Sequence, residues 1–500
     1  MTSPRVRIAP SPTGPLHIGT ARTALFNYLF ARQTGGTFIL RLEDTDQARS
    51  SIAYEKDILD GLHQLGLRWD EGPEVAGDAS RGAFAPYRQM ERLPIYAAAA
   101  EGLMAADAAY PCYCTPEMLE ADRKTQEAAK LPPKYVGRCA TLTLEERAER
   151  EAEGRQPALR FRVGTGVVAF DDIVRGRVEI DVSNLGGDFV IVRGDGSPLY
   201  HFTVVVDDAA MEISHVIRGE DHLSNTPKHI LLFRALGYPV PVFAHLPLIL
   251  NPDRTKMSKR KSQTAMADYL AEGFIREALV NYLALLGWAT GTEEEVLSIE
   301  EIVERFELTD VHKGGAVFDR ERLEWLNGQW IRRLEPDDLV DRLRPFLEAD
   351  LAAGRIDWLP SDGELTSLLP VVTERLPRLG AIGDLVGFLW VRELDYDPAL
   401  LVPKRWDVAT TREGLTAARA TIADTGAVSF EADEREPPLR AVAEAHDWKV
   451  GDLFMAIRVA VTGRTATPPL FDTLVALGHE RVLERLDRAI AALHEGSVAT

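Results

Sequence analysis

The string RIAPSPTGPLHIGT, residues 7–20, constrains the fold more than any other stretch. Val6, Ile8 and Ala9 suit a short buried strand. Pro10, Pro12 and Pro15 cannot continue a sheet ladder, and Gly14 supplies a free backbone angle. From Ile18 onward, Ala21, Leu25, Tyr28, Leu29 and Arg32 recur at helical spacing. His17 therefore falls at a helix N-terminus, just past the end of a strand. Helix-terminal N–H groups and the helix dipole attract phosphate. Open α/β sheets bind ligands beyond the carboxyl ends of their strands. On HIGT alone, a surface histidine at a helix cap reads equally well.

The rest of the chain extends this beginning. Residues 1–80 read as strand, helix, strand, helix, with the second strand at 37–42 running into EDTD at 43–46. That acidic turn is either a substrate site or a solvated connection. Residues 90–155 read as mostly helical, with a capping box at TLEE, 143–146. Strands are expected at 158–163, 167–170 and 188–192, and a hairpin turn at RGDGS, 193–197. YHFTVVVDD, 200–208, reads as a buried parallel strand, and SHVIRGED, 214–221, as another. A helix over 226–236 and a strand over 243–250 precede KMSKR, 256–260, which alone would be a solvated basic loop. The simplest account is a parallel sheet interrupted by an inserted α+β module. From about 265 the pattern is helical, with a break at 314–319. Connections are expected at Pro360, 403–407 and 434–438.

Composition narrows the class. A chain of 500 residues implies several domains, and 45% hydrophobic with 27% charged residues is that of a soluble protein. No apolar run reaches membrane-spanning length, and no signal-peptide pattern opens the chain. Three cysteines exclude a disulfide framework, so a cytoplasmic location and no membrane partner are expected. The net charge of −20 argues against a general nucleic-acid binder. It does not exclude RNA binding along local basic tracks.

HIGT and KMSKR together resemble the paired ATP signatures of class I aminoacyl-tRNA synthetases. The longer strings resemble the bacterial glutamyl-tRNA synthetases: APSPTGPLHIGTARTALFNYLFAR, LRLEDTD, FDDIVRGRVEID, GSPLYHFTVVVDD, HVIRGEDHL, KMSKRKS, FDRERLEWLNGQWI and VAVTGRTATPPLFDTLVALG. They are spread over most of the chain. The resemblance implies an α/β fold: a Rossmann-type catalytic domain with an α+β acceptor-binding insertion, then an all-α anticodon-binding region. The expected divisions are 1–88 and 199–264 for the two catalytic halves and 89–198 for the insertion. Residues 265–334 would form a helical stem-contact domain and 335–500 the anticodon-binding region. The implied activity is ATP-dependent glutamate–tRNA ligation, with ATP and Mg²⁺, glutamate and tRNA-Glu as partners and a monomer as the expected state. A non-discriminating form that also charges tRNA-Gln remains an alternative.

Amino acid activation places charge on phosphate oxygens, and donors aimed at that charge do most of the work. His17, Lys256 and Lys259 are the catalytic candidates. Thr13, Gly19, Thr20, Ser258 and Arg260 join them around ATP. The family's glutamate pocket maps onto Arg7, Ala9, Ser11, Glu43, Tyr200 and Arg218: two arginines for two carboxylates, one acid for an ammonium. Each of these charges could instead belong to an ion pair within the fold. Thr20 stands where the family signature ends in His, so a second imidazole is lacking. Met90 in QMER, 89–92, departs from the family's Gln-Ser-x-Arg. Arg375 falls where some relatives read the anticodon, though a helix-surface arginine fits as well. A glutaminyl enzyme or a truncated tRNA-modifying relative does not fit the all-helical C-terminal third. Nor does a small-molecule nucleotidyltransferase, and a non-catalytic tRNA-binding protein should have lost His17 or the lysines.

Cys112, Cys114, Tyr135 and Cys139 have the form C-x-C-x20-Y-x3-C. Three thiolates and one oxygen would complete a tetrahedral site, and sulfur ligands favour Zn²⁺. Four protein ligands leave no open position, so such a metal would be structural. Three unrelated thiols are the alternative. Some glutamyl synthetases carry this pattern with zinc in the insertion and others lack both, so the resemblance permits the metal without requiring it.

Overall fold

The computed structural model describes residues 3–75, 79–257, 264–424 and 432–495. They divide into two compact units. One comprises Met1–Asp268 with Leu279–Arg320, the other Tyr269–Ala278 with Glu321–Thr500.

The first unit is built on short parallel strands. Arg5–Ile8 pairs with Thr37–Leu40, and His215–Gly219 pairs with Val242–Leu246. His215–Gly219 lies beside Arg5–Ile8, where the Ser214 N–H donates to the Arg5 carbonyl at 3.0 Å. Val6, Phe38, Val216 and Phe243 are buried on one face and Ile39, Ile217 and Ala244 on the other, as in covered parallel sheets. The helix Ile18–Thr34 begins at His17, whose ring accepts the Gly19 N–H. It ends at Gly35, whose φ of 63° closes the last turn.

Between the two strand pairs the chain makes a separate sheet. Ala109–Cys112, Ala158–Phe161 and Phe189–Val192 are antiparallel. The helices Pro116–Ala128 and Leu144–Ala152 lie between the first two, the second opened by the expected Thr143–Glu146 capping box. A hairpin of Val167–Asp172 and Gly176–Asp181 extends the parallel sheet instead, with Asp172 opposite Phe243.

One expected strand is a helix. Residues 200–208 belong to the helix Tyr200–Ala210, which follows the 193–197 turn directly. Phe202 through Asp208 are all buried, so the run carries no amphipathic period to separate helix from strand. The acids decide the matter. On a strand, adjacent side chains point to opposite faces; on a helix they diverge by only about 100°. Arg41 lies 3.6 Å from Asp207 and 2.7 Å from Asp208, which requires both acids on one side.

The second unit is helical. Pro336–Ala352, Asp362–Val372, Val408–Asp424, Val450–Thr462, Leu470–Leu477 and His479–Glu495 enclose a core that includes Leu343, Trp390, Leu415, Ile457, Leu474 and Leu486. The expected connection at 434–438 lies inside the helix Ala432–Ala445, with Pro437 and Pro438 in its first half. Leu439 and Ala443, one helical turn apart, are buried in that core. Their packing outweighs the backbone bonds that the prolines forgo.

Asp207 is fully buried and accepts from Arg92 Nε at 2.7 Å, Gln89 Nε2 at 2.8 Å and the Tyr96 hydroxyl at 2.8 Å. Removing one side of a buried ion pair strands the other charge. Asp207→Ala should therefore lower the stability of the first unit by about 3–5 kcal/mol. Denaturant unfolding checks this, and an unchanged midpoint would show that Arg92 finds solvent.

Candidate active site

A cavity of about 710 Å³ opens beyond the carboxyl ends of the parallel strands. It is lined by Arg7, Ala9, Ser11, His17, Gly19, Thr20, Glu43, Tyr200, Arg218 and Lys256, among others. The sequence candidates thus converge on one place, although they are drawn from five separate stretches of chain. Thr13 lies in the same loop but not on the cavity wall. Ser258, Lys259 and Arg260 lie outside the described residues.

The two arginines expected to meet carboxylates differ in kind. Arg7 already has one. Its Nε and Nη2 donate to the two oxygens of Asp208 at 3.0 and 3.2 Å. Arg41 donates to the same acid at 2.7 Å and to Glu43 at 3.2 Å. Burial raises the Glu43 carboxyl above its ordinary range despite the opposing charges of Arg41 and Arg7.

Arg218 is equally buried, yet no carboxylate pairs with it among the described residues. Its Nε donates to His245 Nε2 at 3.2 Å. Nη1 meets His229 Nδ1 at 3.2 Å, and Nη2 donates to Thr226 Oγ1 at 2.8 Å. The surrounding imidazoles are held neutral. Burial, then the Arg218 charge, pushes His222 down to about 4 and His229 well below its ordinary value. Burial likewise takes His201 down to about 4. Tyr200 hydrogen-bonds His222 Nδ1 at 2.9 Å, and burial pushes its phenol up to about 12.

His17 receives the Gly19 N–H on Nδ1 at 3.0 Å, which places the ring proton on Nε2. The two basic stretches are tied together by backbone. Leu16–Ile18 exchanges hydrogen bonds with residues 264–266: Ile18 N to Thr264 O and Met266 N to Leu16 O, both 2.9 Å. Leu250 bridges Lys256 on the other side of the loop. The Lys256 ammonium meets Asp221 at 3.2 Å.

Several of these residues escaped sequence reasoning: Arg41, Asp208, His222, His229 and His245. The DD pair closing an apolar run was the one visible signal, since buried charges need partners. The histidines are scattered from 222 to 245 and only the fold collects them.

Cys112, Cys114 and Cys139 bring their sulfurs within 4.8 Å of one another and could hold a metal ion. Cys114 and Cys139 Sγ are 3.7 Å apart, and the Tyr135 hydroxyl is 3.4 Å from Cys112 Sγ and 3.7 Å from Cys114 Sγ. A tetrahedron with metal–sulfur bonds of ~2.3 Å has sulfur–sulfur edges of ~3.7–3.8 Å. In the second unit, Arg375 is exposed on the turn Thr373–Arg375.

Residues 4–325 match the family described as tRNA synthetases class I (E and Q), catalytic domain, and residues 338–490 match the anticodon binding domain. A protein named glutamate–tRNA ligase from Dehalococcoides mccartyi strain CBDB1 is 44% identical over 492 residues, covering 98% of each chain. One of the same name from Symbiobacterium thermophilum is 43% identical over 497 residues, covering 96% of this chain and 98% of its own. Among solved structures, a glutamate tRNA ligase from Elizabethkingia meningosepticum, in complex with its amino acid, superposes with a TM-score of 0.86 at 32% identity. It covers 98% of this chain and 100% of its own. With its catalytic match spanning well over half the sequence and full-length relatives at this identity, the chain belongs to the class I tRNA synthetases (E and Q).

Proposed function

We propose that this chain is a glutamate–tRNA ligase. It joins the α-carboxylate of glutamate to the α-phosphorus of ATP, expelling pyrophosphate, and passes the glutamyl group to the terminal ribose of tRNA-Glu. The observation that carries the substrate assignment is the Arg218 guanidinium, buried on the cavity wall without a carboxylate of its own among the described residues. A glutamate side chain would supply the missing charge; the neutral amide of glutamine would leave it stranded. Glu43 suits the substrate ammonium, and Arg7, with Ala9, Ser11 and Tyr200, frames the rest of the amino acid.

ATP, brought with Mg²⁺ as a substrate, sits against the N-terminus of the helix Ile18–Thr34. His17 donates from Nε2 to the α-phosphate, where charge builds as the pyrophosphate leaves. Thr13, Gly19 and Thr20 face the nucleotide along the same loop and first turn. Lys256, Ser258, Lys259 and Arg260 attend the outer phosphates. The module at 89–198 receives the acceptor end, 265–334 contacts the stem and 335–500 holds the anticodon, Arg375 included. No helix among the described residues is long and apolar enough to cross a membrane. A cytoplasmic monomer fits the reading.

The cysteine cluster suits zinc. Its sulfur spacing matches a tetrahedral site, and with the Tyr135 oxygen the donor set is complete. These residues would pin the turn between two helices of the insertion, supplying rigidity rather than chemistry.

Three outcomes test this reading. Charging assays should show glutamate accepted and glutamine rejected on tRNA-Glu; a preference for glutamine would overturn the substrate assignment, and parallel charging of tRNA-Gln measures discrimination. His17→Ala should slow glutamyl-adenylate formation by about 10²–10³-fold, the usual effect of losing one preorganised donor, with little change in glutamate binding. Elemental analysis of protein purified without chelator should find about one zinc per chain. Titration of all three cysteines as free thiols in metal-free protein would remove the site.

A further inference from the structure

Arg218 hydrogen-bonds a histidine whose other ring nitrogen meets a carboxylate from a distant hairpin. Asp172, the last residue of the strand Val167–Asp172, is buried. Its Oδ1 accepts three backbone N–H groups: Val174 at 3.0 Å, Arg175 at 2.8 Å and His245 at 3.2 Å. Its Oδ2 faces His245 Nδ1 at 2.6 Å. The other ring nitrogen, Nε2, lies 3.2 Å from Arg218 Nε and 3.0 Å from Thr226 Oγ1. Arg218 Nε can only donate, so His245 Nε2 must carry the lone pair and Nδ1 the proton. That tautomer is the one a carboxylate at Nδ1 enforces. Burial holds the His245 ring below its ordinary pKa, so the imidazole stays neutral.

We propose that Asp172, acting through His245, is a positioning residue for glutamate recognition. It fixes the imidazole tautomer that accepts from Arg218 Nε, and so orients the guanidinium toward the cavity without neutralising it. A carboxylate set directly on Arg218 would orient it too, but would compete with the substrate. A neutral imidazole interposed between the two charges orients Arg218 and leaves its charge available. The inference rests on the reading that Arg218 meets the side-chain carboxylate of glutamate.

The chemistry of the asparagine variant makes the idea testable. Three backbone donors hold Oδ1 as an oxygen, so Asp172→Asn must place its NH₂ at the Oδ2 position. That group donates to His245 Nδ1, moves the ring proton to Nε2 and sets it against the Arg218 Nε–H. His245→Gln offers Arg218 a side-chain oxygen whose state does not depend on residue 172.

Full-length Asp172→Asn, His245→Gln, the double variant and Arg218→Ala should be compared by ATP–pyrophosphate exchange with bound tRNA, alongside unfolding midpoints. Asp172→Asn should raise the glutamate KM about tenfold or more, with the ATP KM and the midpoint near wild type. It should also narrow the preference for glutamate over glutamine. In the His245→Gln background the same change should add little. A rise with Arg218→Ala but none with Asp172→Asn would overturn the relay alone, as would additive costs in the double variant. An unchanged glutamate KM in Arg218→Ala would overturn the site reading and the relay with it. Should Asp172→Asn fail to fold, His245→Phe keeps the ring and removes the acceptor, and must itself raise the glutamate KM.

Discussion

Two adjacent carboxylates on the helix Tyr200–Ala210 organise the catalytic unit. Asp207 binds Arg92, Gln89 and Tyr96, while Asp208 binds Arg7 and Arg41. These contacts join the first strand, the end of the second, and the segment opening the insertion. Removing either acid would leave its buried arginines without their counter-charge, at a cost of several kcal/mol (~3–5). The parallel sheet and the inserted module thus share a single electrostatic centre.

That centre leaves Arg218, among the described arginines of the proposed glutamate pocket, without a carboxylate. Arg7 and Arg41 have their charge answered by Asp208 and Glu43, and act as rigid donors of defined geometry. Arg218 is surrounded by imidazoles and a hydroxyl. It gains orientation without compensation, which is what the proposed glutamate-binding role requires. The division between structural and receptive arginines follows from which neighbours carry charge.

The N-terminal half of the site was legible because its signals are local. Prolines and Gly14 break the strand, helical spacing resumes at Ile18, and His17 must then cap the helix. Clustering made the cysteine site visible for the same reason. The 200–208 run was misread because three valines between buried neighbours fit strand and helix alike. The direction of Asp207 and Asp208 is decided by Arg41, 167 residues upstream of Asp208. The Asp172–His245–Arg218 chain was hidden likewise, since it joins residues 73 and 27 positions apart. A single sequence shows which residue types are present, but not which distant ones the sheet brings into contact.

The placement of the two acids late in the chain has a consequence for how the protein is made. Arg92 precedes its carboxylate by 115 residues and Arg7 by 201. At synthesis rates of ~5–20 residues per second, these two arginines wait roughly 6–40 s for their counter-charges. During that interval Arg7 and Arg92 lack the carboxylates that answer them in the folded unit. The acids that join the first strand to the start of the insertion thus become available only after residue 208 is made, although the sheet they serve begins the chain.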